Sequence, residues 1–331
     1  MASANSVTIL IDDLVTTTHY KVRDQIFDQV FKITPFLDWL MSKGKVREKM
    51  LDGSHWEYPV RFDDQNQNTQ WFGRGATFSR TEKEHLTRLL FYPRNLGTSI
   101  VRYWDDDQKN RGTAKLIAYA EEKVETAKQS LIQQLEEDTL QQNSDSSSIQ
   151  ALDFIISTTP TTGSYGGVTR STNAYLQNRA TDFTGKTTGN DLIDSMRTEY
   201  NQNSIYKGNG RRSPDFILTT REIYQDYERI CENLRIIQTN KSERATLGFG
   251  ELAFKGAELF WSPECPSGNM YFLNSDTWEM PYDPQTWMEM TEWKSSVDNL
   301  ERAAQILCRM QLLCTNLRKN SVIHSITATT S

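Results

Sequence analysis

The sequence predicts an α+β fold, on three observations. The stretch "NRGTAKLIAYAEEKVETAKQSLIQQLEEDTLQQN" has the spacing of one long amphipathic helix. Two runs, "HWEYPVRFD" and the segment from Ala304 to Cys314, alternate at period two like half-buried strands. Between them lies a middle in which short strands and helices mix.

Taken in order, residues 1–20 are polar, rich in Thr and Ser, and read as extended chain. Val22, Ile26 and Val30 recur every four positions, a helical stripe. In "ITPFLDWLMSKG" Thr34 is placed to cap and Pro35 takes the first helical position. Phe36, Leu37, Leu40 and Met41 form one face, and Gly44 stops the helix. In "HWEYPVRFD", Trp56, Tyr58, Val60 and Phe62 point one way while Glu57, Pro59 and Arg61 point the other. Pro59 lacks a ladder donor, which favours an edge strand or an exposed ribbon. The strand-like run "LTRLLFYP" follows after a polar stretch, "DDQNQNTQWFGRGATFSRTEKE". Loops of that length inside compact domains are functional or disordered, so the pair reads as a long hairpin arm, with Trp71, Phe72 and Arg74 near its tip.

In the long helix, Leu116, Ala120, Val124, Ala127, Leu131 and Leu135 fall on one stripe. About 28 residues at 1.5 Å each span roughly 42 Å, and a single apolar stripe lies on a sheet or along a neighbour. "NSDSSS" breaks the chain, "ALDFIIST" is a short apolar run, and "TTPTTGSYGGVTRST" reads as loop. "NDLIDSMRTEY" is a helix with Leu192, Ile193 and Met196 inward. "PDFILTT" is a strand, and Thr219 with Glu222 forms a capping-box pattern for "REIYQDYERI". "GFGELAFKGAELFWSP" and "NMYFLNSD" give short strands with Gly and Pro turns. Ala304, Ile306, Cys308, Met310, Leu312 and Cys314 face one way along a closing strand, which earlier segments complete into a sheet.

Composition narrows the function. Hydrophobic residues are 37% of the 331, yet aromatics reach 11% with eight Trp. Such a chain can have a modest core and still place much surface in contacts. The net charge of −6 argues against a protein that wraps DNA with its whole surface. The four Cys show no CxxC spacing, the four His show no HExxH pair, and no apolar run approaches a membrane span. "MASANSVTILIDDL" lacks the pattern of a secretory signal.

Candidate chemistry is sparse. Asp105, Asp106 and Asp107 read as a solvated turn near a helix N-terminus rather than a cation site. Arg211 and Arg212 read as a solvated loop. Cys308 and Cys314 are expected on one face of the closing strand as small hydrophobes. "ATDFTGKT" (180–187) fits a relaxed phosphate loop, with Lys186 for the outer phosphates and Thr187 for Mg²⁺. Its upstream segment is too polar for the buried strand that such a loop requires. The helical pattern starts only near Asp191, with Asn190 placed as its cap. The reading is a connector. No enzyme, cofactor or metal is expected.

In this order the segments resemble the major capsid proteins of tailed bacteriophages, with the Hong Kong 97-type fold, over roughly residues 20–326. "ITPFLDWLMSKGKVREKMLDGSHWEYPVRFDDQN" resembles that family's passage from N-terminal arm into extended loop. "VRYWDDDQKNRGTAKLIAYAEEKVETAKQSLIQQLEEDTL" resembles the entry to its spine helix, and "SYGGVTRSTNAYLQN" the phrase after it. "PDFILTTREIYQDYE", "LGFGELAFKGAELFWSPECPSGNMYFLNSDTWEM" and the closing strand resemble its axial and peripheral domains. The resemblance implies an N-terminal arm (1–45), an extended hairpin loop (46–104), a peripheral domain (105–164 and 286–331, with a spine helix at 112–141) and an axial domain (165–285).

It also implies a structural protein of the virion capsid, assembled in the host cytoplasm. Hexamers and pentamers of the chain would close into an icosahedral shell around packaged double-stranded DNA, without sequence-specific binding or a membrane. A portal is expected, with room for a decoration protein. Since the arm starts almost at residue 1, a separate scaffolding protein is expected too. The implied inter-subunit contacts are Trp56, Tyr58, Val60, Phe62, Trp71, Phe72 and Arg74 of the hairpin arm; the implied spine packing is Leu116 through Leu135. Lys83 and Asn299 are of the types that some members crosslink, but no motif pairs them. Two other readings compete: an encapsulin-like compartment shell of the same fold, and a phosphate-loop enzyme.

Overall fold

The computed structural model describes residues 35–51, 53–61, 69–78, 86–103, 113–205, 213–238, 252–295 and 300–329. Val22, Ile26, Val30, Thr34, Phe62, Lys83, the Asp105 to Asp107 run, Arg211, Arg212 and Asn299 lie outside them.

Helix α1 (Pro35–Ser42) starts at its proline and buries Phe36, Leu37, Trp39 and Leu40. Trp39 stacks on Phe216 with ring centroids 4.6 Å apart, and Phe36 meets Trp278 edge-on at 6.0 Å. The helix thus belongs to the chain's own core, which corrects the assignment of all of residues 1–45 to an outgoing arm. Four apolar residues within five positions make its face too wide to leave in water. Gly44, at φ +62°, ends it, with the Gly44 N–H donating to the Met41 carbonyl.

Four strands follow: β1 (Val46–Glu48), β2 (Trp56–Arg61), β3 (Leu86–Phe91) and β4 (Arg94–Tyr103). β2 and β3 pair antiparallel as the expected hairpin, Trp56 opposite Phe91 and Arg61 opposite Leu86. Helix α2 (Thr113–Leu140) runs 28 residues. Val124, Ala127, Leu131 and Leu135 are buried along it; the side chains of Leu116 and Ala120 lie outside the described set. Next come α3 (Leu152–Ile155) and a small hairpin, β5 (Ser164–Tyr165) with β6 (Val168–Thr169). The sequence suggested only loop there. Gly166 and Gly167, both at positive φ, supply the tight turn that a two-residue hairpin needs.

The middle is β7 (Arg179–Asp182), α4 (Thr188–Asn203), β8 (Phe216–Thr219), α5 (Arg221–Gln238), β9 (Leu252–Phe254), β10 (Ala257–Trp261) and β11 (Met270–Leu273). The chain closes with β12 (Trp278–Tyr282), β13 (Glu289–Met290), β14 (Lys294–Ser295), β15 (Glu301–Met310), β16 (Leu313–Cys314) and β17 (Ser321–His324). Three local expectations change here. Thr219 is the last residue of β8 and spends its hydroxyl on the Asn269 carbonyl at 3.1 Å, so it does not cap α5. Helix α4 starts before Asn190, with Thr187 at its N-cap position. The alternation of the closing strand fails at Gln311, whose buried side chain accepts from the Gln150 N–H and donates to the Tyr92 carbonyl. Cys308 and Cys314 therefore sit on different strands, each thiol raised by burial, to about 11 and about 12 respectively.

Two sheets organise the described residues. A seven-stranded sheet centres on β15, which pairs with β4 over ten residues, from Glu301 opposite Tyr103 to Met310 opposite Arg94. β12, β13 and β14 also pair with β15, while β1 and β16 pair with β12. The other sheet has the order β7-β17-β11-β8-β10-β9. Its central strands, β8 and β11, are buried on both faces. Phe216, Leu218, Tyr271, Leu273 and Val322 face the core shared with α1, α2 and β15. Ile217, Leu259, Met270, Phe272 and Ile323 face α4 and α5.

The strand memberships cut across the expected domain limits. β4 lies in the seven-stranded sheet rather than in the hairpin arm, and β12 joins that sheet from within the segment assigned to the axial domain. β17 crosses the other way, seated between β7 and β11. Asn320 holds that crossing. Its carbonyl oxygen accepts from the Asn274 N–H at 2.9 Å and the Trp278 indole N–H at 3.1 Å; its amide donates to Thr277 Oγ1 at 2.9 Å.

Candidate inter-subunit surface

The hairpin is two surfaces, not one. Its base is fixed to the chain's own core. Trp56 is 2% exposed, and its indole N–H donates to the Lys49 carbonyl at 3.3 Å. Lys49 Nζ lies 3.6 Å from the Tyr58 ring centre. Tyr58 meets Phe91 edge-on at 5.8 Å, and Phe91 meets Tyr165 at 5.2 Å. The Tyr165 hydroxyl donates to the Cys314 carbonyl at 3.0 Å and accepts from the Cys314 N–H at 2.6 Å. β3 is also held at its side: the Leu90 N–H donates to the Gly166 carbonyl at 3.0 Å, and a Cβ on Gly166 would lie 2.7 Å from Leu89.

The expectation that Trp56 and Tyr58 need a neighbouring chain for cover is therefore corrected. Trp56 is covered by this chain, and Tyr58 and Val60 pack against its core half-buried. A ribbon too thin to bury its rings has found a wall in β5, β6 and the closing strands.

The tip differs. Trp71 is 103% exposed, Phe72 67% and Phe78 50%, and Arg74 is exposed with them. Yet the tip has its own internal order. Phe72 and Phe78 lie 5.0 Å apart, the Gln70 side chain donates to the Thr77 carbonyl at 2.8 Å, and the Ala76 N–H donates to the Gly73 carbonyl at 3.1 Å. Gly75, at φ +88°, permits the turn. Phe78 was missed in the sequence, although the reasoning that singled out Trp71 and Phe72 applies to it: a large apolar residue in a polar stretch has nothing local to cover it.

The phosphate-loop match fares differently from expectation in detail, though not in outcome. A strand does enter it, since β7 pairs with β17 in the six-stranded sheet, and helix α4 does follow from Thr188. The cradle is still missing. Ala180, Thr181 and Asp182 are ladder residues of β7, not loop. Four of the five remaining loop amides are already used: the His324 carbonyl accepts from the Phe183 N–H, Asp182 from the Thr184 N–H, Phe183 from the Lys186 N–H, and Asp191 from the Thr187 N–H. Two carboxylates occupy the place where phosphate oxygens would have to come. The Asp182 carboxyl is held below the usual range by the Thr184 hydroxyl and N–H. Lys186 turns over the Phe183 ring at 5.7 Å. Among the described residues no three His, Cys, Asp or Glu side chains gather as metal ligands, and no helix is long and apolar enough to cross a membrane.

No family model matches the chain, and no curated protein matches it. Solved structures do. The chain is similar to the cyanophage A-1(L) capsid asymmetric unit, with 17% identity, 89% of this chain and 93% of that chain covered, and a TM-score of 0.67. It is similar to the capsid of a native GTA particle at 10% identity, covering 87% and 90%, with a TM-score of 0.56. It is also similar to the SrpI encapsulin of Synechococcus elongatus PCC 7942 at 10% identity, covering 90% and 89%, with a TM-score of 0.53. The chain has the Hong Kong 97-type capsid fold.

Proposed function

We propose that the chain is the major capsid protein of a tailed bacteriophage, which self-assembles through hexamers and pentamers into an icosahedral shell around packaged double-stranded DNA. The observation that carries the reading is the aromatic tip of the hairpin, ordered within itself and left uncovered by its own chain. Each ring of this kind removes roughly 150–250 Å² from water when docked. At about 25 cal/mol per Å² that is about 4–6 kcal/mol before the cost of ordering. A second copy of the chain is the partner that a shell supplies at every position, and rotation closes such head-to-tail contacts into rings.

In this reading the two sheets form the peripheral and axial parts. Trp71, Phe72, Phe78 and Arg74 dock on a neighbour, while Val124 through Leu135 hold the spine helix inside the subunit. A separate scaffolding protein and a portal assist assembly in the host cytoplasm. The likeness to an encapsulin keeps the compartment shell as the second reading.

Electron microscopy of the expressed protein tests the proposal: closed icosahedral particles are expected. Deletion of residues 64–80 is expected to leave soluble subunits that form no stable shells; intact shells from that deletion would remove the tip from the argument. Particles filled with DNA and bearing a portal vertex support the phage reading, while small shells loaded with enzyme support the compartment.

A further inference from the structure

The C-terminal half of α2 carries a carboxyl that its surroundings do not accommodate as a charge. Glu136 is 4% exposed. One oxygen, Oε1, accepts from the Ser262 hydroxyl at 3.3 Å; the other, Oε2, is buried with no hydrogen-bond partner. The residue lies where two parts of the molecule meet. α2 packs along β4 of the seven-stranded sheet. Ser262 begins the turn that leaves β10 of the six-stranded sheet, closed by the Cys265 N–H on the Ser262 carbonyl at 3.2 Å. Gln141, the residue after α2, donates to the Glu264 carbonyl of that turn at 2.9 Å. The joint is therefore α2 against the 262–265 turn, with Glu136 inside it.

Among the described residues, the groups that act on Glu136 are acidic or neutral. The turn contributes the Ser262 hydroxyl, the Glu264 carboxylate and the buried Cys265 thiol, and Cys265 in turn feels both Glu136 and Asp153 of α3. Burial raises Glu136, the Ser262 hydroxyl works against it, and Glu264 adds to it, leaving the carboxyl at about 7. Burial raises Asp153 as well. A buried neutral O–H without an acceptor is costly, and an uncompensated buried charge costs far more.

We propose that Glu136 is a proton-controlled latch between the long helix and the six-stranded sheet, closed when its carboxyl is neutral and loosened when it ionises. The sign follows from linkage. The folded chain keeps a proton that the unfolded chain releases between about pH 4.5 and about pH 7, so the stability of the joint is full in acid. It falls as pH rises through that window and is constant above it. If the capsid reading holds, the latch repeats in every subunit and biases the set of one sheet against the other throughout the shell.

The test uses full-length protein and its Glu136→Gln variant, which keeps the shape of the neutral acid and cannot ionise. Hydrogen exchange is compared between the two at each pH, so that the intrinsic pH dependence cancels. In peptides covering residues 131–142 and 258–273, equal exchange is expected at about pH 4, and at about pH 8 exchange of the unsubstituted protein is expected to be faster on the order of a hundredfold. Ser262→Ala removes the donor that favours the charged form, so the midpoint of the change should move to higher pH. A ratio that stays constant with pH, or a Gln variant that does not fold, overturns the latch. An unmoved midpoint in Ser262→Ala overturns the part assigned to the hydroxyl. Shell formation does not enter the measurement, so the capsid reading stands or falls separately.

Discussion

At the scale of single residues, two tryptophans from one hairpin have opposite fates. Trp56→Ala empties a filled site and should destabilise the subunit by about 3–5 kcal/mol. Trp71→Ala removes a ring that touches water on all sides, and should change subunit stability by less than about 0.5 kcal/mol while weakening assembly. Chemical denaturation of unassembled subunits checks the first statement, and particle yield the second; a Trp71→Ala protein that assembles as well as its parent would sink the tip's role. Asn320 offers a polar counterpart. Asn320→Ala leaves the Trp278 indole and the Asn274 amide buried without their acceptor, at about 1–3 kcal/mol for each. Its melting temperature should fall by several degrees.

At the scale of elements, the hairpin base depends on one close approach. Gly166→Ala places a methyl group against Leu89 at a residue with φ +56°, so two penalties coincide. The expected loss is about 1–3 kcal/mol, with proteolysis opening first near β2 and β3. Unchanged protection of that ribbon would contradict the contact. The same element shows what was legible in the sequence. The period of two in Trp56, Tyr58 and Val60 displays their shared face, and the stripe from Val124 to Leu135 displays the face of α2. Neither pattern says what covers that face. β5 and β6 lie far from β2 along the chain, and only the fold brings Tyr165 and Gly166 beneath it. β7 was hidden for a related reason: "RATD" is polar in composition, yet Arg179 and Thr181 bond the buried Glu199 carboxylate of α4, so polar residues serve a partly buried strand. Gln311 stopped the closing strand in the same way, through partners that no local pattern reveals.

At the scale of the whole molecule, the two sheets share one apolar cluster. Phe216, Tyr271 and Val322 of one sheet pack in it with Met280, Ile306 and Met310 of the other, and α1 and α2 line it. A core held in common predicts one cooperative transition for the unassembled subunit, with calorimetric and van't Hoff enthalpies in agreement. Two resolved transitions would mean that the sheets unfold independently. The mild negative charge over 331 residues suits a wall that stands near nucleic acid without adhering to it, in keeping with the proposed shell.

The position of β17 sets the timing of biosynthesis. Among the described strands it comes last in chain order, yet β7 pairs with it alone in the six-stranded sheet, and β11 takes it on one side. At about 5–20 residues per second, the ribosome needs on the order of ten seconds to pass from β7 to β17. Until then β7, made more than a hundred residues earlier, waits with an open edge. Until β17 has been made the six-stranded sheet is incomplete, so a nascent chain that has reached only β11 does not yet present this fold.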